Sequence, residues 1–352
     1  MYSKKMKKTY LNEFHSTHDG NLVDFSGWEM PINYGSQINE HNEVRNNVGI
    51  FDVSHMAVFD FYGDNQVEFL KKLLPNDVTK ILNSKRALYS PLLNENGGIL
   101  DDLIVYHTGN NHFRIISNCA TRQQNNDWFN EKAKQFEVKV NFQENASIIA
   151  IQGPNSDEVL STLYSLDLKN FHIYQDDEVM IARTGYTGEI GFEIISNQKK
   201  GLELWNHFIS KGVKPIGLAA RDTLRLEAGL NLYGSDMTIN NHPYESNLGW
   251  TIDNSDENRN YIGKNSLAIE AESKKKLIGF YTEERGVLRA GSKVHFAGGE
   301  GIVTSGTWSP TFKKNIGFCR VDANYPAQGN ALLRDKEINL HFCETNFLKH
   351  LK

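Results

Sequence analysis

The chain is 352 residues long, 39% apolar, 11% aromatic and 23% charged, with a formal net charge of −5. One hydrophobic core seldom grows beyond roughly 250 to 300 residues, so this length predicts two or three domains, and the composition excludes a disordered polar chain. The acidic balance argues against a protein that grips many phosphates, so nucleic acid is not an expected partner.

At the N-terminus, the basic run Met1-Tyr-Ser-Lys-Lys-Met-Lys-Lys8 gives way to polar residues 9–19 where a signal peptide would place its apolar core. It also lacks the arginines of a transit peptide, so Lys4, Lys5, Lys7 and Lys8 read as a solvated terminus. His15 and His18 form an His-x-x-His without acidic or cysteine company, and both are expected at the surface. Residues 20–60 mix short apolar runs with turn residues and read as loops and strands. Within them His55, in Asp52-Val-Ser-His-Met56, has a structural reading and a catalytic alternative. A helix is predicted over 65–74: Val67, Leu70, Leu73 and Leu74 make an apolar stripe, Asp64 is placed to cap it and Pro75 blocks continuation.

Strands predicted at 86–93, 99–106 and 112–117, the first two joined by a tight turn at 94–98, make a three-stranded meander. The middle strand carries Asp101 and Asp102 in an apolar run. Asp is disfavoured in strands, and a buried carboxylate is costly unless paired or hydrogen-bonded, so the pair points to a site. Strict alternation puts Leu100, Asp102, Ile104 and Tyr106 on one face and Ile99, Asp101, Leu103 and Val105 on the other, so one acid alone faces any given cavity. The plainer alternative is that Asp101 ends the turn and Asp102 is solvated at an edge. A helix over 121–136 and a strand over 136–142 close this part.

A second rhythm follows: a strand at 147–153, a helix at 156–164, strands at 179–183 and 191–195, and helices at 201–210 and 218–228, the last closed by Gly229 where a left-handed cap is common. That helix sets Arg221 and Arg225 four residues apart on one face. Either Asp222 and Glu227 neutralise them locally, or a guanidinium fork receives a ligand carboxylate. Residues 254–260 resemble a connector and 266–271 a short helix. From 277 onward, short alternating strands punctuated by Gly, Ser and Pro read as an all-β module. No Gly-x-Gly-x-x-Gly after a strand, Walker loop, His-Glu-x-x-His or Gly-x-Ser-x-Gly occurs, and Gly185-Tyr-Thr-Gly-Glu-Ile-Gly191 reads as a tight turn between strands. No apolar run nears the ~18 residues of a membrane span. Cys119, Cys319 and Cys343 lack metal-like spacing and are odd in number, which fits a reducing cytoplasm.

Eight motifs carry a resemblance: Asp24-Phe-Ser-Gly-Trp-Glu-Met-Pro31, Phe51-Asp-Val-Ser-His-Met56, Ala87-Leu-Tyr-Ser90, Gly97-Gly-Ile-Leu-Asp-Asp102, Ile151-Gln-Gly-Pro154, Gly185-Tyr-Thr-Gly-Glu189, Ala220-Arg-Asp-Thr-Leu-Arg-Leu-Glu-Ala-Gly229 and Thr304-Ser-Gly-Thr-Trp-Ser-Pro310. Together, and in family order, they resemble the glycine cleavage T-protein family of aminomethyltransferases. The resemblance implies an α+β, three-domain cloverleaf around a central folate-binding opening, with a C-terminal all-β barrel or jelly-roll-like domain. Its implied boundaries are 1–50 with 141–250 as a discontinuous folate-binding domain, 51–140 as a ferredoxin-like domain carrying the Asp102 strand, 251–275 as a connector and 276–352 as the β domain.

The implied reaction releases ammonia from an aminomethyl group on the lipoyl arm of H-protein and passes the carbon to tetrahydrofolate, giving 5,10-methylenetetrahydrofolate. Tetrahydrofolate is then a co-substrate, and neither metal nor nucleotide cofactor is implied. H-protein carrying aminomethyl-dihydrolipoyl-lysine is the implied partner, P-protein and L-protein are indirect ones, and membranes and nucleic acid are not involved. By family match Asp102 is the key acid, with Asp101 pointing the other way. Glu193 matches a ligand-binding glutamate, Tyr89, Asn118, Tyr186 and Met56 match pocket positions, and Arg221 matches an arginine that meets the folate's anionic end. In place of the family's C-terminal arginine the tail Thr345-Asn-Phe-Leu-Lys349 offers Lys349, a point charge with less directional grip. The alternative is a folate-binding protein of the same fold with an iron–sulfur or tRNA-modification role. Its Lys-Gly-Cys-Tyr-x-Gly-Gln element has no counterpart in Asn231-Leu-Tyr-Gly-Ser-Asp236.

Overall fold

The computed structural model describes residues 6–109, 111–269, 274–334 and 336–351, so Lys4, Lys5 and the end of the helix predicted at 266–271 lie outside the described residues. Three large sheets organise the chain. The first has the strand order Ile173–Gln175, Val179–Ala182, Gly191–Asn197, Ala146–Gln152, Gly49–Asp52, Lys214–Pro215. Its central strands are apolar on both faces because both are covered. Ile149 and Ile151 pack with Leu204, Trp205 and Phe208 of helix Gln198–Ser210. Ile148 and Ala150 pack with Val44, Ala220 and Leu224 of helices Gln37–Asn46 and Leu218–Glu227.

The second sheet contains the predicted meander and extends it, in the order Ala87–Leu93, Ile99–Gly109, His112–Ser117, Ala57–Tyr62, Lys139–Phe142. Pro91 lies in the edge strand, where a missing N–H is tolerated. Helices Gln66–Leu73 and Arg122–Ala133 bury Phe69, Leu70, Leu73 and Phe129 against one face. Val58, Tyr106 and Ile116 instead join the core shared with the first sheet, so the two sheets meet through one apolar seam. The third sheet is a closed six-stranded barrel built from Lys275–Thr282, Lys314–Asp322, Gly299–Ser309, Lys293–Phe296, Gln328–Leu333 and Lys336–Cys343. The fold is α+β, and the C-terminal module is a barrel rather than a jelly roll. Among the described residues no helix is long and apolar enough to cross a membrane.

Helix Leu218–Glu227 joins these parts. Gly229 follows it at φ +80°, and the Leu230 N–H donates to Arg225 O at 3.0 Å, so the predicted left-handed cap is a Schellman closure. Helix Gln37–Asn46, within the stretch read as loops and strands, is a departure. Its buried residues are Glu40, His41 and Val44, so it shows no apolar stripe, and Ser36 caps it through Asn39 N at 3.3 Å. Asp64 does not cap helix Gln66–Leu73; it accepts from Asn111 Nδ2 at 2.7 Å, and the N-cap is Asn65. Lys7 and Lys8 are exposed as expected but form a short strand beside Trp28–Asn33, with Lys8 paired to Glu29 at 2.9 Å.

His15 overturns its surface assignment. It is 0% exposed, its Nε2 lies 3.0 Å from Asp52 Oδ2, and its Nδ1 lies 2.6 Å from the Tyr34 hydroxyl. Its acidic partner is 37 residues away in sequence, beyond any local spacing rule. His18 is exposed and stacks on Phe14 at 3.9 Å.

Candidate active site

A cavity of about 250 Å³ opens at the seam between the first two sheets. The meander supplies Tyr89, Asp102, Ile104 and Tyr106 from adjacent antiparallel strands, and Asn118 follows the next strand. Met56, Thr184, Tyr186, Glu193, Arg221 and Trp250 complete the wall from the other side. Strand alternation therefore delivers Asp102, Ile104 and Tyr106 to one surface, as expected. Leu100 does not join them. The pairing passes from Leu92 with Asp101 directly to Leu93 with Ile99, so Leu100 is itself the unpaired bulge residue, and it packs with Leu103 and Val105 instead.

Asp102 accepts from Tyr89 Oη at 2.9 Å and from Asn118 Nδ2 at 2.9 Å. Asp101 is 0% exposed and absent from the cavity wall. It nonetheless shares a donor with its neighbour. The same Asn118 Nδ2 donates to Asp101 Oδ1 at 2.7 Å, so one amide bridges both carboxyls. Asp101 also accepts from the backbone N–H groups of Asp102 and Asn118, Thr121 Oγ1 at 2.6 Å and Asn125 Nδ2. Burial raises both acids, and Asp102, which additionally faces Asp101, is pushed up to about 7. The donor set around Asp101 favours it as the charged member of the pair.

Glu193 accepts from Thr184 Oγ1 at 2.6 Å, and burial pushes its carboxyl up against the opposing pull of Thr184 and Arg221. The Arg221 guanidinium lies 4.3 Å from the centre of the Tyr186 ring and has no acidic partner among the described residues. Tyr186 is fixed by a hydrogen bond from its hydroxyl to Asn231 O. Tyr89 stacks at 5.9 Å and 18° on Trp250, whose surface is 70% exposed.

The two arginines expected to act together have separate environments. Arg225 is buried and donates to Asp222, Leu230 O, Asp236 and Ser305, a clamp between the helix and the barrel. Local neutralisation holds for Arg225 and Asp222 but not for Glu227, which is bound by Arg45, Ser309 and Thr311 and lies 3.3 Å from His41. Lys349 is exposed on helix Phe347–His350 and does not line the cavity. His55 is buried with no partner at Nδ1, and burial together with Arg221 depresses it to about 3, so it is neutral. Thr184, Asn231 and Trp250 went unrecognised in the sequence. Thr184 precedes the Gly185 turn and was within reach of that motif; Trp250 is brought in by tertiary structure alone.

Two packed sheets and a C-terminal barrel, with a pocket of aromatic walls and buried acids between the sheets, have the build of one class of protein: an α+β enzyme with a concave site for a small molecule. Residues 11–256 match the family model described as GCVT N-terminal domain, and residues 275–349 match the glycine cleavage T-protein C-terminal barrel domain. An aminomethyltransferase of Xylella fastidiosa (strain M23) is 45% identical over 361 residues, covering 98% of this chain and 97% of the relative. An aminomethyltransferase of Xanthomonas axonopodis pv. citri (strain 306) is 44% identical over 357 residues, covering 97% and 96%. The crystal structure of glycine cleavage system aminomethyltransferase T from Bartonella henselae superposes with a TM-score of 0.92 at 32% identity, covering 97% of this chain and 98% of that one. The chain belongs to the glycine cleavage T-protein family of aminomethyltransferases.

Proposed function

We propose that the Asp102 cavity is where this aminomethyltransferase brings tetrahydrofolate against the aminomethyl group carried on the lipoyl arm of H-protein. The reaction releases ammonia and yields 5,10-methylenetetrahydrofolate. The observation that carries the assignment of the site is that Asp102, Glu193 and Arg221 line one cavity, each with bonding capacity left over. Glu193 has one donor and lone pairs free for the N–H edge of a pterin. Arg221 is positioned to receive a ligand carboxylate in its fork. Tyr89, Tyr186, Asn118 and Met56 shape the wall, and Lys349 is proposed to reach the anionic tail from outside the cavity.

Asp102 has two tasks in this reading. Its carboxylate opposes the positive charge that develops as ammonia leaves, and with a proton affinity near neutral it takes the proton of the folate nitrogen as that nitrogen bonds to carbon. It then returns that proton to the departing lipoyl sulfur. Of the two N–H protons the folate gives up, one reaches sulfur and the other leaves with ammonia, so the balance closes without metal or nucleotide. Orientation in the cavity contributes a further ~7 to 11 kcal/mol at best. The three free cysteines suit a reducing cytoplasm, and P-protein and L-protein are partners only through H-protein. We also propose the division into 1–50 with 141–250, 51–140, 251–275 and 276–352.

Purified protein assayed with aminomethylated H-protein and tetrahydrofolate tests the site. Asp102→Ala is expected to lower kcat by roughly 10² to 10³, the usual loss on removing a preorganised electrostatic group. A variant as active as wild type removes the assignment.

A further inference from the structure

Asp101 makes more hydrogen bonds than Asp102 yet does not touch the cavity, and nothing in the proposed chemistry uses it. It accepts five hydrogen bonds: from Asp102 N, Asn118 N, Asn118 Nδ2, Thr121 Oγ1 and Asn125 Nδ2. Asn125 is itself 0% exposed, and its Nδ2 also contacts Ser117 Oγ at 3.0 Å and Thr121 Oγ1 at 3.2 Å. Such a cradle is costly to assemble. Thr121 and Asn125 stand 20 and 24 residues from Asp101 and come from the start of helix Arg122–Ala133, which must dock against the meander for the contacts to form. A carboxylate needed only to satisfy the turn would require one or two donors. Five donors with no cation describe a place built to hold negative charge in the interior.

We propose that Asp101 is a positioning residue: held ionised by Thr121, Asn125 and Asn118, it keeps a fixed negative charge behind Asp102 and shares with it the Asn118 amide, so that Asp102 is both oriented and made a stronger base. The proposal rests on Asp102 being the working acid. Asn118 is the mechanical link, since its single Nδ2 lies 2.7 Å from one carboxyl and 2.9 Å from the other. The other titratable groups facing Asp102 are Tyr89 from the adjacent strand, Tyr186 from the Gly185 turn and Tyr233 from the segment after helix Leu218–Glu227. Farther along the wall stand Glu193 and Arg221. All three tyrosines are held neutral by burial, so Asp101 is the one charge directly behind Asp102.

The sign follows. A negative neighbour disfavours ionisation of Asp102, so removing the charge lowers its proton affinity. With ionised Asp102 as the active form, kcat falls on the acid side of its titration. Asp101→Asn moves that acid limb to lower pH by about one unit or more, the scale of a like-charge effect, and lowers the alkaline plateau by roughly tenfold because the base is weaker. Thr121→Val, which removes one donor, moves the limb the same way by less, and Thr121→Ser, which restores the hydroxyl, brings it back. The measurement is the pH profile of kcat for the full-length protein with aminomethylated H-protein and saturating tetrahydrofolate, alongside Asp102→Asn. A lower kcat at every pH with an unmoved limb means that Asp101 merely supports the fold, and overturns the proposal. An active Asp102→Asn overturns the reading of the site itself, a separate outcome.

Discussion

Two acidic clusters, one against the barrel and one in the meander, are solved in opposite ways. Glu227, on the barrel side, would be raised by burial, but His41, Arg45 and Ser309 outweigh it and bring it down to about 2. Asp101 is as deeply set and Asp102 is half-buried at the cavity wall, but they meet only amides, hydroxyls and backbone N–H groups, and Asp102 stays near 7. Burial of charge therefore does not by itself mark a working site; burial without a counter-charge does. Glu193 falls between the two, raised by burial yet within the influence of Arg221.

The sharpest way to break this contrast is to damage each cluster and ask what is lost. Glu227→Gln takes the buried carboxylate from Arg45, which keeps Glu189, and from Ser309 and Thr311, and is expected to cost about 1 to 3 kcal/mol of stability, read from denaturant unfolding. Wild-type acid sensitivity should have the matching sign. Because the folded pKa of Glu227 is depressed from 4.5 to about 2, its contribution of about 3 kcal/mol is complete above the unfolded value and is lost as pH falls through 2. Asp102→Asn should do the reverse. A carboxyl raised from 3.8 to about 7 binds its proton more tightly when folded, so it destabilises as pH rises through that window. The variant is expected to be more stable than wild type by about 4 kcal/mol at pH 8 and equal to it below pH 4, while losing activity. Equal stability at both pH values would contradict an uncompensated acid at this position. The last effect concerns Glu193→Ala, which should weaken tetrahydrofolate binding by about 1 to 3 kcal/mol in calorimetry, the worth of a charge-assisted hydrogen bond. Unchanged affinity would remove it from the ligand wall.

Much of this was legible in the residues. The meander, the helix closed by Gly229 and the β-rich C-terminus all carry local signals, apolar periodicity and turn chemistry, that survive into the folded chain. Asp102 stood out because an acid in an apolar strand contradicts its surroundings. What stayed hidden depends on contacts distant in sequence. His15 pairs with Asp52, and helix Gln37–Asn46 buries Glu40 and His41 rather than a stripe of leucines, so its period was invisible. Leu100 changed face because it is the bulge residue at which strict alternation along the strand breaks. The adjacency of Arg221 and Arg225 suggested a joint role, yet Ser305 and Asp236, some 80 and 11 residues on, claimed one of them.

That claim bears on modularity. Gly299–Ser309 in the barrel gives Ser305 to Arg225 and Ser309 to Glu227, and Thr311 just beyond it contacts both Glu227 and His41. Severing the gene product ahead of residue 275 would leave an arginine and a glutamate in the remaining fragment stripped of these hydroxyl partners. The barrel is thus no detachable cassette but a lid on the chemistry of another lobe's interior, and transplanting it between relatives requires carrying its serines and threonine along.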